Sequence, residues 1–294
     1  MDTTALDWVA SVLGAQEVKP VRSLTFGIVS DLQLLSVDGR LLVLRRHMNE
    51  ALVQRHPDLV HDEVIALGAA ESVFGDLVPM VVATDAKGEV VGSPALLMTY
   101  LPGSACIHGI DPTLLAQPLA ALHTSRMPMH LPPFHHWYEA QHVGVPEWSG
   151  DNRAWSTLVD FVSQPEPGWE PAFIHRDFHP GNLLWEHGHL TGIVDWGFAC
   201  AGPPAIDVAH LRANLALVDG VDAADALLDQ YTSSVPGYRH HPWWDAVELF
   251  TLDRDFAGVM AFNAFGSQLT VALLRSRADV YAASVAEAIE KSGS

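Results

Sequence analysis

Between Asp2 and Leu13 the apolar residues Ala5, Leu6, Val9, Val12 and Leu13 recur at the spacing of one helix face. Asp2, Thr3 or Thr4 can cap that helix and Gly14 can end it. Beyond Val21 the period becomes two, so Ser23–Ser30, Leu32–Val37 and Leu41–Arg45 read as strands, the last two joined by an Asp38-Gly39 hairpin turn. Pro57–Ala70 returns to helical spacing, with Leu59, Val60, Val64 and Leu67 on one face and Glu63 beside it. Val78–Ala83 and Pro94–Tyr100 flank a turn at Asp85-Ala86-Lys87-Gly88 and complete a five-stranded sheet. After the break at Pro102-Gly103 the pattern is mainly helical: Thr113–Ser125, Asp151–Ser163, a helix from Asp207 carrying Val208, Leu211, Leu215 and Leu217, and most of Asp222–Ile289. Met127–Trp148 is rich in Pro, His and aromatic residues and has no clean period.

Composition narrows the class. The 294 residues suffice for a large core, and 49% apolar with 17% charged residues describes a soluble globular protein. No apolar run nears the ~20 residues of a membrane helix, and Met1-Asp2-Thr3-Thr4 lacks a basic leader, so a cytoplasmic location is expected. Cys106 and Cys200 are too few for a disulfide framework. A net charge of −19 argues against nucleic acid as partner and matches a cationic one, although an acidic surface also serves solubility.

The chemistry concentrates in Phe173-Ile174-His175-Arg176-Asp177-Phe178-His179-Pro180-Gly181-Asn182 and, just beyond, Asp195-Trp196-Gly197. The order fits H-R-D-x-x-x-x-N followed by a D-F-G-like triplet. Phosphoryl transfer asks the protein to position a hydroxyl, hold magnesium and neutralise phosphate. Asp177 can orient the hydroxyl or accept its proton. Asn182 and Asp195 offer the hard oxygen atoms that magnesium prefers. His175 reads as structural. Asn182-Leu183-Leu184-Trp185, a His-Gly turn and Leu190-Thr191-Gly192-Ile193-Val194-Asp195 suggest a short hairpin whose two ends present Asn182 and Asp195 to one metal. A mere turn would explain Pro180 and Gly181 but not two acids and an amide, each after an apolar run, at this spacing. Zinc is disfavoured: His175, His179, His187 and His189 come with neither an H-E-x-x-H helix nor a cysteine set.

His175–Asn182 and Ile193-Val194-Asp195-Trp196 resemble the aminoglycoside phosphotransferase family, small-molecule kinases with the protein-kinase fold. The resemblance implies an α+β bilobal architecture, with a nucleotide-binding N-lobe over residues 1–101 and a helical C-lobe over 102–294. It puts Gly27 and Ser30, with Thr25, in the loop over the nucleotide phosphates, and Met98 and Tyr100 at the purine-binding hinge. Arg45 falls where the kinase strand carries its phosphate-binding lysine. A guanidinium is workable there, and Glu63 is its candidate partner, with Glu71 as runner-up. Strand alternation alone does not choose between Arg45 and Arg46, which face opposite ways; alignment with the motif favours Arg45. Asp207 matches an acid that braces the catalytic loop. Most members have Gly at the position of Arg176, which is expected here to pair with a local carboxylate or carbonyl.

Only eleven residues separate Asp195 from Asp207, too few for a peptide-binding activation segment, which favours a small acceptor over a protein. The expected activity is transfer of the γ-phosphate of ATP or GTP, with Mg2+, to a hydroxyl of an amine-bearing antibiotic resembling an aminoglycoside or a macrolide. A metabolic kinase for an amino-alcohol or sugar is the alternative, and a kinase-fold protein that binds without transfer is disfavoured by the presence of Asp177, Asn182 and Asp195. Asp245, Glu248, Asp253 and Asp255 are candidates for holding the acceptor's amine, and Met127–Trp148 is a candidate substrate-facing insertion.

Overall fold

Asp38 and Gly39 both take positive φ, +47° and +83°, the geometry that lets a two-residue turn follow the twist of paired strands. It joins β2 (Asp31–Val37) to β3 (Arg40–Arg46) in unbroken register from Val37↔Arg40 to Asp31↔Arg46. The computed structural model describes residues 3–24, 30–137, 143–252 and 256–292. It divides into two compact units, Met1–Ser104 with Leu183–Ala199, and Ala105–Asn182 with Cys200–Ser294.

In the first unit β1 (Val18–Ser23), β2, β3, β4 (Val81–Asp85) and β5 (Ala95–Thr99) form an antiparallel sheet in the order β1-β2-β3-β5-β4. Five strands are present, the first of them at Val18–Ser23; of the segment Ser23–Ser30 read from the sequence, residues 25–29 lie outside the described residues. β1 pairs Val18 with Val37 and Ser23 with Gln33, so pairing with β2 begins before the apolar run of that segment. Leu35, Val37, Leu42, Leu44, Ala95 and Leu97 share one face of the sheet and bury Ala5, Trp8 and Val9 of α1 (Thr3–Leu13). α2 (Glu50–Arg55) precedes α3 (Leu59–Phe74), which buries Val60, Glu63, Ala66 and Leu67. A hairpin of β8 (Leu183–Glu186) and β9 (His189–Ile193) turns at His187-Gly188, both at positive φ, and pairs Leu183 with Ile193. Trp196, just past it, is buried with its ring 6.1 Å from that of Phe74 on α3.

The two-residue strand β6 (Ser104–Ala105) stands where the chain first passes between units. In the second unit β7 (Ala172–Ile174) pairs antiparallel with β10 (Cys200–Gly202), joining Ile174 to Cys200. Around this ribbon run α4 (Pro112–His123), α5 (Asn152–Val162), α6 (Pro204–Val218), α7 (Val221–Ser234), α8 (Pro242–Thr251), α9 (Ala257–Met260) and α10 (Val271–Ser292). α6 packs against α7, α8 and α10. From Ala205 to Val218 only His210 is not fully buried, so α6 is a core helix whose polar residues need partners inside the protein. α8 is of the same kind, buried from Pro242 to Phe250. Among the described residues no helix is long and apolar enough to cross a membrane.

Candidate active site

Both units contain buried charge. In the first, β3 turns the Arg45 side chain away from the face that covers α1. Its Nη1 donates to Glu63 Oε1 at 2.6 Å and its Nη2 donates to Asp195 Oδ1 at 2.7 Å. Arg45 and Glu63 are buried, whereas the Asp195 side chain is 39% exposed. Burial works against the charge on Arg45, but Asp195 and Glu63 outweigh it and hold the guanidinium firmly protonated. Burial raises the pKa of Glu63, with Arg45 opposing. Arg46 faces the other way and binds Asp31. His47, two residues past Arg45, is also buried. Burial first and Arg45 second lower its pKa to about 4, so the ring is neutral near pH 7. Ser30 Oγ lies 3.3 Å from His47 Nδ1. The alternation that carries Arg45 inward also carries His47, a signal available in the sequence but not used there.

Asp195 has φ +68°, a left-handed conformation that aspartate tolerates better than most side chains. Met98 is buried on β5, opposite Val43 and Val81, and Tyr100 is half-buried just beyond that strand. Gly27 and Thr25 lie outside the described residues.

In the second unit β7 feeds the loop His175–Asn182. Asp207, fully buried near the start of α6, accepts the backbone N–H of His175 at 2.8 Å and of Arg176 at 2.7 Å. His123 Nε2 lies 3.2 Å from Asp207 and His123 Nδ1 lies 2.7 Å from the Tyr231 hydroxyl. Burial opposes the charge on Asp207, but His123 and His175 outweigh it and lower its pKa. Arg176 adopts φ +72°, a conformation costing an L-residue about 1–2 kcal/mol.

The half-buried Asp177 carboxylate sits within this loop. Asn182 Nδ2 donates to the Asp177 carbonyl at 2.9 Å and approaches its Oδ2 at 3.4 Å, which leaves the Asn182 amide oxygen as the free end of that side chain. Gly181 N–H donates to His179 Nδ1 at 3.0 Å, so the His179 ring proton belongs on Nε2, 3.6 Å from Asp177 Oδ1. A Cβ on Gly181 would stand 2.9 Å from both the His179 and Phe262 rings, which accounts for glycine there. His175 is fully buried and its Nδ1 accepts the Asp177 N–H at 3.3 Å.

A further histidine completes the cluster. His210 Nε2 is 3.3 Å from Asp177 Oδ1, and its Nδ1 is 2.8 Å from Glu248 Oε2. Burial penalises the His210 charge, but Asp177 and Glu248 outweigh it and raise the pKa to about 9. Burial likewise opposes ionisation of Asp177, yet His179 and His210 pull its pKa well below the usual carboxylate range. Arg176 Nη1 donates to Glu248 Oε1 at 3.2 Å, and its guanidinium lies 3.8 Å from the Trp137 ring centroid.

Asp245 and Glu248, read from the sequence as possible anchors for a substrate amine, are committed elsewhere. Asp245 is buried against Arg212, His240 and Tyr281, and Glu248 against Arg176 and His210. Asp253 and Asp255 lie outside the described residues. The sequence reading overlooked His210, although α6 is apolar on every face, which is the signature of a buried helix. Among the described residues no group of His, Cys, Asp and Glu forms a metal-binding cluster.

A model described as "Phosphotransferase enzyme family" matches residues 34–244. No curated protein gave a match. Among solved structures, a protein from Ralstonia eutropha JMP134 provisionally assigned as an aminoglycoside phosphotransferase superposes with a TM-score of 0.65 at 17% identity, covering 99% of this chain and 98% of that one. The aminoglycoside phosphotransferase APH(4)-Ia gives 0.60 at 15% identity over 95% of this chain and 98% of its own. The macrolide 2'-phosphotransferase MphH from Brachybacterium faecium gives 0.57 at 17% identity over 95% and 96%. These structures share the kinase-like fold seen here, an antiparallel five-stranded sheet followed by a helical region. With a match running from residue 34 to residue 244 of its 294 residues, the chain belongs to the phosphotransferase enzyme family and is a kinase-type phosphotransferase.

Proposed function

We propose that the protein moves the γ-phosphate of ATP or GTP to a hydroxyl of an amine-bearing small molecule of the antibiotic class, aminoglycoside- or macrolide-like. The observation that carries this reading is the Asp177 carboxylate, held ionised on a loop that Asp207 clamps through two backbone N–H groups. In the reaction Asp177 orients the acceptor hydroxyl, whose oxygen bonds to the γ-phosphorus as the bond to the leaving nucleoside diphosphate breaks. The hydroxyl proton passes to Asp177. Arg45, supported by Glu63, neutralises phosphate oxygens. By resemblance Gly27 and Ser30 are assigned to the segment that covers the phosphates, and backbone groups around Met98 and Tyr100 to the base.

The donor chemistry suits Mg2+: the Asn182 amide oxygen is released by its own N–H contacts to Asp177, and Asp195 is a partly exposed carboxylate. When bound, the ion would neutralise charge on the transferred phosphoryl group. Support for a nucleotide co-substrate comes from a variant of APH(4)-Ia solved as a ternary complex with AMP-PNP and hygromycin B. The net charge of −19 supports a cationic acceptor. Trp137 edge-on to His210 at 6.0 Å, and Phe262 at 5.1 Å from His179, support a partly apolar one within that class.

The test is a panel of aminoglycosides, macrolides, other amine antibiotics and amino-alcohols, incubated with ATP or GTP and Mg2+ and read by product mass. Gain of one phosphate by an antibiotic class, lost in Asp177→Asn, is the expected result. Phosphorylation of amino-alcohols alone would make this a metabolic kinase, and nucleotide binding without any product would make it a binding protein.

A further inference from the structure

Arg176 and Asp177 are neighbours in the chain, and their side chains are joined a second time through two residues from elsewhere in the sequence. Arg176 Nη1 donates to one oxygen of Glu248, the other oxygen of Glu248 lies 2.8 Å from His210 Nδ1, and His210 Nε2 lies 3.3 Å from Asp177 Oδ1. Arg176 and Glu248 are each 2% exposed at the side chain and His210 is 12% exposed. The arm therefore runs inside the protein, from the residue before the reactive carboxylate to the carboxylate itself.

Resting on the phosphotransfer reading above, we propose that His210 is a positioning residue for Asp177, held by Glu248 and through it by Arg176. Three features argue for this role over ordinary core packing. His210 contacts a carboxylate through each ring nitrogen, so turning the ring would lose both. The other contacts at Asp177 come from its own loop, His179 at 3.6 Å and Asn182 at 3.4 Å, and His210 adds one from α6, a helix that also supplies the loop brace Asp207. Finally, Arg176 holds an unfavourable positive φ while its buried Nε and Nη2 lack hydrogen-bond partners. Besides the face of Trp137, the polar partner of that side chain is Glu248, which it fixes. Asn214 Nδ2 also lies 3.3 Å from His210 Nε2, but it already donates to the His210 carbonyl at 2.9 Å, so the proton on Nε2 is left to face Asp177. His210 thus engages Oδ1 from α6, while Asn182 approaches Oδ2 from within the loop. The same geometry explains why arginine stands where a glycine would meet the backbone conformation without strain.

Two measurements on the full-length protein test this. In the first, 15N-histidine-labelled protein is compared with Asp177→Asn and Glu248→Gln by two-bond 15N–1H correlation at pH 7.5. The expected result is a His210 ring protonated on both nitrogens in the parent protein and on one in Asp177→Asn. Ring shifts indifferent to Asp177→Asn would overturn the proposal whatever the protein catalyses. In the second, turnover of Mg-ATP or Mg-GTP is followed with the acceptor found by the panel, or with water if none is found. His210→Asn should lower kcat at least tenfold with the nucleotide KM within twofold, while Glu248→Asp, which keeps the carboxylate, should retain more activity than Glu248→Ala. A kcat within twofold of the parent for a folded His210→Asn protein, checked by near-UV circular dichroism, would overturn it. If the parent protein turns over no substrate at all, the phosphotransfer reading fails, and the spectra still decide whether His210 holds Asp177.

Discussion

Arg45 donates to Asp195 at 2.7 Å across 150 residues of chain, and the same guanidinium donates to Glu63 at 2.6 Å. One cation thus ties the central sheet, α3 and the segment after the β8–β9 hairpin into a single assembly within the first unit.

Removing the more deeply buried of its two anions should be costly, because a desolvated cation then loses its closest partner. Glu63→Gln is expected to lower stability by about 3 kcal/mol and to raise the nucleotide Kd at least tenfold. Urea denaturation and calorimetric titration with ATP and GTP check the two effects separately.

Asp207 satisfies two backbone N–H groups of the His175–Asn182 loop with a buried carboxylate. Asp207→Ala leaves both unpaired at about 1–3 kcal/mol each, so a loss near 3 kcal/mol or more, with no turnover, is expected. Asp207→Asn keeps one acceptor oxygen and should cost roughly half as much. Thermal melts of the two variants measure the difference.

Two histidines should give the stability profile opposite limbs. His210 binds its proton more tightly in the folded protein, with a pKa raised from 6.5 to about 9. Its contribution is complete below about pH 6.5 and is lost as pH rises through 9, by at most about 3 kcal/mol. His47, lowered from 6.5 to about 4, resists protonation in the folded state, so stability should fall as pH drops between those values. Urea midpoints from pH 4 to 9.5 should show His210→Gln flattening the basic limb and His47→Gln the acidic one.

Gly103 has φ +112°, and a Cβ there would stand 2.4 Å from Thr191 Oγ1 and 3.0 Å from the Trp185 carbonyl oxygen. Gly103→Ala therefore combines backbone strain with overpacking, and a loss of about 2–4 kcal/mol is expected in urea denaturation.

Local chemistry explains which parts of the molecule could be read from the chain. The Asp38-Gly39 turn, the alternation of β2 and β3 and the helical period of α3 are each written within a dozen residues, and the five-stranded sheet follows from them. The start of β1 was less legible because its pairing with β2, rather than its own apolar content, sets where it begins. In the second unit His210, the partner of Asp177 from outside its loop, and Glu248, the partner of His210, come from helices buried on nearly every face. On such helices His210, Asp245 and Glu248 have no exposed side to occupy, so the usual reading of a helical acid as solvated or as a ligand for an amine does not apply. Their pairing is tertiary: Glu248 lies 72 residues from Arg176 and 38 from His210.

The division of the chain also bears on how the protein is made. The first unit consists of Met1–Ser104 and Leu183–Ala199, with 78 residues of the second unit between them. On the ribosome the sheet can form early, but Asp195 and Trp196 reach Arg45 and Phe74 only after nearly 200 residues have been synthesised. A nascent chain released at residue 104 would leave Arg45 without Asp195 and the Phe74 face of α3 without its tryptophan. The first unit therefore reaches its final form only after the loop that carries Asp177 has been synthesised.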